Sequence, residues 1–449
     1  MMTLTQDLGR FVADISFERL PQGAADVART GFIDCIATMI AGAGDPAPQL
    51  LRKALQPSGG DASLYFTGER CPAPEAAWIN GTAGHALDYD DVASLRGHPS
   101  TVLVPAILAE GEALGASGRD MLAAYVAGYE AWAELAWRDP GHHHRKGWHP
   151  TGIFGPIGAA AACASLRRLD ADGTTRALAL AASQSSGIMA NFGTMTKPFH
   201  AGRSAHSGLM SARLAELGFT ASKDALEHPQ GFLSAVSPNG EVDRETPPEG
   251  LGTEWKIVKY RLCIKKYPAC YCTHRALDAM LELLARHPLK PAEIARITVS
   301  VSDTHALILR NHQPDTGLAA KFSMEFAMAA AVISRRAGLA EYTDGFVCRP
   351  EVQDLMRRVA IETNRNYDPD VSGASVFDQV RVDLIGGGVV ESEKVARAKG
   401  HADRPLGEDE LFEKFRICLD AGGARIAPDV LFDRLQHLED LSARELTAV

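Results

Sequence analysis

The sequence predicts a mainly α-helical protein, a large all-helical domain built from both chain ends with a smaller α+β domain inserted between them. Three observations lead there. Apolar residues recur at helical spacing through roughly the first 250 positions. After a Pro-, Gly- and acid-rich stretch at Asp243 to Gly252, segments of alternating hydrophobicity appear, separated by helical runs. The tail from Pro405 to Leu441 then returns to helical spacing and is expected to pack back onto the first helices. At 449 residues two domains are expected, with the helical domain at 1–258 and 396–449 and the insert at 259–395.

The elements follow in order. Val27, Ala28, Gly31, Phe32, Cys35, Ile36, Met39 and Ile40 make an apolar stripe closed by Gly42 and Gly44. Met121 to Trp137 reads as a second helix, stopped at Asp139-Pro140 because proline offers no N–H. Gly152, Gly155 and Gly158, with Ala159 to Ala162, give an element with a nearly bare face that another helix can approach closely. Asp172 is placed to cap an alanine-rich helix, and Ser204 to Leu217 carries another. In the insert, Ile297, Val299 and Val301 read as a strand. Val380, Val382 and Leu384, then Gly386 to Gly388 and Val389-Val390, read as a hairpin. Thr273 to Ala285 and Phe322 to Arg336 are helical stretches.

Composition narrows the function. A hydrophobic share of 46% and a charged share of 23% are those of a soluble globular protein. The net charge of −10 argues against nucleic-acid and anionic-membrane partners, while leaving room for a local cationic pocket. No apolar run reaches membrane-spanning length; Ile153 to Leu166 comes nearest and stops at Arg167-Arg168. A polar start and eight scattered cysteines fit a reduced, cytoplasmic protein. Cys270-Tyr-Cys272 lacks the spacing of a zinc pair. With no P-loop, dinucleotide fingerprint or nucleophile elbow, no cofactor is expected.

The chemistry concentrates in His85-Ala-Leu-Asp88-Tyr-Asp90-Asp91 and the Gly97-His98-Pro99-Ser100 that follows. Three carboxylates within four residues repel, so at least one must be protonated or neutralised by a cation. If the segment is helical, Asp88 and Asp91 share a face with His85 while Asp90 points elsewhere. A solvated acidic helix end and a metal site of His85, Asp88 and Asp91 are weaker readings than a carboxylate orienting a nearby histidine. His98 is the stronger acid–base candidate. A helix starting just after it disfavours imidazolium and holds the ring near neutrality. His149-Pro150 repeats the pattern. Lys197, His200 and Arg203, in Thr-Lys-Pro-Phe-His-Ala-Gly-Arg, form a carboxylate-binding arrangement, and Lys266 before Tyr267-Pro268 is a further cation. His142-His143-His144 reads as a flexible polar loop.

In this order, His-Ala-Leu-Asp-Tyr-Asp-Asp, Gly-His-Pro-Ser, Trp-His-Pro, Thr-Lys-Pro-Phe-His-Ala-Gly and Lys-Lys-Tyr-Pro-Ala-Cys resemble the motifs of the MmgE/PrpD family over roughly residues 5 to 400. That family includes 2-methylcitrate dehydratases, cis-aconitate decarboxylases and iminodisuccinate epimerases. The resemblance implies an active site in a cleft between the two domains of a homodimer, without metal. It points to Asp88, His98, His149, Lys197 and Lys266. The family's decarboxylases carry a threonine where this chain has Val92, and a tyrosine where it offers Phe326, which argues against itaconate-type decarboxylation. The family's 2-methylcitrate dehydratases carry Asn where Asp90 stands.

The function expected is a cofactor-independent dehydratase acting on a small hydroxy-polycarboxylate of the 2-methylcitrate kind. His98, His149, Asp88 and Lys197 are the catalytic candidates; Lys266, Arg203, His200 and Asp91 are the substrate-holding ones. Epimerisation of an imino- or amino-dicarboxylate is the alternative, then cis-aconitate-type decarboxylation, and outside enzymes a carboxylate-binding scaffold.

Overall fold

The computed structural model describes residues 2–94, 96–371 and 373–449. Its architecture is mainly α with a small α+β part, as expected. Helices Ala24–Gly42, Ala73–Ala86, Ser100–Leu114, Gly118–Trp137, Pro150–Leu166 and Thr196–Glu216 pack into one bundle. Close crossings depend on missing side chains. A Cβ at Gly202 would lie 2.2 Å from the Trp78 carbonyl, and one at Gly208 would lie 2.4 Å from the Ala159 Cβ. The Thr196–Glu216 helix therefore lies tightly against both the Ala73–Ala86 and the Pro150–Leu166 helices.

Two apolar cores form. The first joins Leu8, Phe32, Ile36, Tyr125, Trp132 and Phe154 to Phe415 and Leu431 from the C-terminal region. The Glu408–Gly422 helix also sends buried Lys414 to Asp34 at 2.5 Å and to the Tyr89 carbonyl at 2.8 Å. The tail thus packs against the first helices and braces the carboxylate-rich segment.

The second core gathers Met280, Ile297, Val299, Phe326 and Val380 beneath a four-stranded sheet. The strand order is Val359–Asn364, Ile294–Ser302, Gln379–Leu384, Val389–Glu391. The first pair is parallel and the others antiparallel, with Val299 opposite Val380 and Val382 opposite Val390. Gly387 and Gly388 take φ of 85° and 100° at the hairpin, which explains the glycine run. The strand Val359–Asn364 was not expected. It is a partly exposed edge strand and lacks a clean in–out alternation. Helices His274–Arg286 and Met324–Ser334 cover the sheet. Among the described residues no helix is long and apolar enough to cross a membrane.

Candidate active site

The site is built on a turn. The Ala73–Ala86 helix stops one residue after His85, and Asp88 takes φ of 48°, a left-handed conformation that aspartate tolerates better than most residues. The chain reverses there, so the helical face expected for His85, Asp88 and Asp91 does not form. Asp90, expected to point elsewhere, folds back onto His85, with Nδ1 at 2.9 and 3.0 Å from its two oxygens. Its Oδ2 also lies 3.1 Å from His98 Nδ1. Asp91 turns the other way, accepting from the Ser100 hydroxyl and lying next to Asp34. Burial, reinforced by Asp34, raises the Asp91 carboxyl well above the usual range, so of the trio it holds a proton most readily. Burial would also raise Asp88 and Asp90, but Lys197 and Lys265 outweigh it at Asp88, and His85 and His98 outweigh it at Asp90. Both stay ionised. Asp91 is thus structural in position and does not line the cleft.

Three lysines converge on this turn. Lys197 donates to Asp88 Oδ1 at 2.7 Å and to His85 Nε2 at 2.8 Å. Its helix begins at Thr196, eight residues before the expected Ser204, because Pro198 in a first turn costs no hydrogen bond. Lys265, fully buried, donates to the Asp88 carbonyl at 2.8 Å and lies 3.1 Å from Asp88 Oδ1. Lys321 reaches from the second core to the carbonyls of Leu87 at 2.6 Å and Pro268 at 2.9 Å.

Lys266, the lysine chosen from sequence, is elsewhere. Neighbouring side chains of an extended segment point to opposite sides. Lys266 therefore faces outward, half-exposed, 3.6 Å from Asp278. Arg203 is also displaced: it lies 4.9 Å over the Trp78 ring and meets His206 Nδ1 at 2.7 Å, away from the cleft. Six residues along a helix from Lys197, it sits on a different face. His200, three residues from Lys197, stands behind His149, their Nδ1 atoms 3.1 Å apart.

A cavity of about 130 Å³ opens between the two cores, walled by Asp88, His98, His149, Lys197, Lys265 and Phe322. His98 Nδ1 faces two acceptors, the Asp91 carbonyl at 2.8 Å and Asp90 Oδ2. The proton therefore sits on Nδ1, and Nε2 keeps its lone pair. Burial pushes His98 down to about 3, outweighing the pull of Asp90; desolvation, more than the helix start, keeps the ring neutral. Burial and then Lys197 lower His149 as well. His149 is the N-cap of the Pro150–Leu166 helix, packed edge-on against Phe192 at 4.9 Å. Its Nε2 and Asp88 Oδ2 are buried without a hydrogen-bond partner among the described residues. Such atoms at a cavity wall call for a ligand or water.

Two further expectations change. The His142-His143-His144 segment is packed rather than loose: His143 is buried edge-on to Phe154 and His144 edge-on to Phe192, at the cavity wall. Phe326 belongs to the second core, 5.0 Å from Tyr342, and does not face the cavity, whereas Val92 does. As for metal, donor atoms of His85, Asp88, Asp90 and His98 lie within 4.8 Å of one another. The Lys197 ammonium already occupies the position between Asp88 and His85, and both imidazoles turn N–H groups toward Asp90. The alternative set of His85, Asp88 and Asp91 is split by the turn.

Sequence reasoning thus missed Lys265, Lys321 and the pairing role of Asp90, and underrated His85. The doubled lysine in Lys265-Lys266 was the available signal, since extended backbone sends one of two neighbours inward.

Known proteins bear on this geometry. The MmgE/PrpD N-terminal domain family matches residues 6–245 and the MmgE/PrpD C-terminal domain family matches residues 267–427. The chain is 29% identical to the human cis-aconitate decarboxylase over 384 residues, covering 83% of this chain and 78% of that protein. It is 26% identical to the cis-aconitate decarboxylase of Aspergillus terreus over 440 residues, 92% of this chain and 88% of that one. It is 27% identical to the cis-aconitate decarboxylase-like protein oryM of Aspergillus oryzae, over 97% of this chain and 93% of that one. With both domain families matched along nearly its whole length, the chain belongs to the MmgE/PrpD family.

Proposed function

We propose that the protein is a cofactor-independent lyase. On this reading it removes water from a small hydroxy-polycarboxylate of the 2-methylcitrate type, by abstracting a proton α to a carboxylate. One observation carries the reading. A histidine held in its base tautomer, His98, and a second, His149, whose Nε2 has no partner among the described residues, share a small cavity with two buried ammonium groups. Elimination needs both a base for the carbon acid and an acid for the departing hydroxyl. His98 Nε2 takes the α-proton. His149, protonated once the bound polyanion raises it, gives its Nε2 proton to the leaving oxygen and returns to neutral imidazole, with Nδ1 paired to His200 Nδ1 at 3.1 Å. Lys197 and Lys265 each make two polar contacts among the described residues, which leaves a third N–H for a substrate carboxylate. That N–H stabilises the enediolate charge as it develops. An arriving polyanion also raises both depressed imidazoles, so the base gains strength as substrate binds.

The names of the relatives favour a second reading, decarboxylation of cis-aconitate or a close analogue. It uses the same ammonium groups and needs one proton donor. Against it stands Val92, which brings no hydroxyl to the cavity wall. Epimerisation of an imino-dicarboxylate shares the first proton abstraction. Incubation with 2-methylcitrate, citrate, cis-aconitate and iminodisuccinate in deuterated water, followed by NMR, separates them. Alkene formation from a hydroxy acid is expected. Loss of carbon dioxide would move the assignment to decarboxylation, and deuterium exchange without elimination to epimerisation. An unchanged panel would overturn the lyase reading.

A further inference from the structure

A second chamber adjoins the first. It holds about 190 Å³ and abuts the inner cavity, the two sharing Val92, Arg96, His144, Pro150, Tyr271 and Ile308 in their walls, so that together they take up one stretch of the interior. The chemistry changes along that space. The inner end carries Asp88, Lys197 and Lys265. The outer end presents mainly aliphatic surface, from Ile308, Ala374, Ala396 and Ala398.

Three guanidinium groups stand at its wall: Arg275 and Arg397 are held by carboxylates, while Arg96, which also walls the inner cavity, has one acceptor and a buried Nε without a partner among the described residues. Arg96 donates to the Gly141 carbonyl. Arg275 grips Asp378 at 2.7 and 3.1 Å and the Ser375 carbonyl at 2.7 Å. Arg397 holds Asp368 at 2.5 Å. Burial keeps His143 near 4 and His305 near 3, so neither brings a cation. Arg96 aside, such a chamber attracts apolar surface rather than a further carboxylate.

We propose that the outer chamber receives an unbranched aliphatic substituent, and that the preferred substrate is a polycarboxylate carrying an alkyl tail rather than the bare acid. This rests on the reading of the inner cavity as the carboxylate site. At on the order of 30 Å³ per water-sized group, the chamber takes about six methylene-sized groups.

Binding, which does not depend on which reaction follows, tests the idea. Calorimetry with 2-methyl-, 2-propyl- and 2-hexylsuccinate should show affinity rising about three- to fourfold per added carbon, the usual return for a buried methylene. Ala398→Leu, which fills the outer chamber, should leave 2-methylsuccinate binding unchanged and abolish the gain from length. Ala374→Leu provides the same obstruction from another segment should the first variant fold poorly. If 2-methylsuccinate binds but longer tails add nothing, the tail site falls and the carboxylate site stands. Equal weakening of all three ligands by the leucines would reduce the chamber to a passage and also overturn the proposal. If none of the succinates binds the wild type, both readings fall together.

Discussion

Lys265 and Lys266 are adjacent, alike in charge, and opposite in surroundings, so removing each in turn tests the site directly. Lys265 is fully buried and contacts both the carbonyl and the carboxylate of Asp88, whereas the Lys266 side chain keeps 43% of its exposure and stands 3.6 Å from Asp278. At 3.1 Å and an effective dielectric constant near 20, the Lys265–Asp88 attraction is about 5 kcal/mol before desolvation. Removing one partner of a buried pair costs about 3–5 kcal/mol, because the other charge is left uncompensated. Lys197, 2.7 Å from the same carboxylate, keeps the loss toward the lower end. An exposed pair such as Lys266–Asp278 contributes roughly 0–1 kcal/mol. Lys265→Met should therefore lower the unfolding free energy by about 3 kcal/mol and turnover per folded molecule by about 10²–10³-fold, the scale of one lost donor to a developing oxyanion. Lys266→Met should stay within about 1 kcal/mol and keep its turnover. Urea denaturation and initial rates on the same preparations read both. Adding Asp88→Asn to Lys265→Met takes the carboxylate from the buried Lys197 ammonium as well, so the double variant should be less stable than Lys265→Met alone and no more active. A damaging Lys266→Met beside a harmless Lys265→Met would refute the placement of both side chains.

Other expectations can be checked as readily. His98→Ala should reduce kcat by about 10²–10⁴-fold with KM nearly unchanged; a lower melting temperature with normal turnover per folded molecule would remove the ring from the chemistry. Burial pushes His98, His144, His274 and His305 down to about 3. An unfolded histidine titrates near 6.5, so between about 6.5 and 3 the unfolded chain binds protons that the folded chain refuses. Stability is then complete above about pH 6.5 and falls with acid, by about 2 kcal/mol per ring at pH 5. A flat denaturation midpoint between pH 7 and 5 would mean these rings are hydrated. Because Lys197 fills the gap between Asp88 and His85, exhaustive chelation should leave activity intact; loss restored by zinc or magnesium would reverse that.

Residue types at the site were legible because their neighbours restrict the backbone: Pro99 after His98, Pro150 after His149 and Pro198 after Lys197 mark the starts of helices. Direction was not legible. Whether Asp90 or Asp91 faces His85 depends on the left-handed φ at Asp88, which no periodicity announces. Whether Lys265 or Lys266 points inward depends on the register of an extended segment against Val92, through the reciprocal bonds of Val92 and Cys263. The insert's strands were read from alternation, and the one missed was the partly exposed edge strand.

The deeper reason lies in distance along the chain. The cations that hold the Leu87–Asp88 turn come from 109, 177 and 234 residues away, one from the helical bundle, one from the crossing segment and one from the second core. Local pattern cannot reveal such a convergence, because each lysine alone resembles any other. It also makes the site depend on both cores at once. Lys321, anchored beside Phe322 in the second core, touches the turn that aims Asp88, and burial has pushed its ammonium down to about 8. A shift of the α+β part relative to the bundle would release the turn before it disturbed either core. The orientation of Asp88 is therefore a property of how the two parts meet, and not of the motif that contains it.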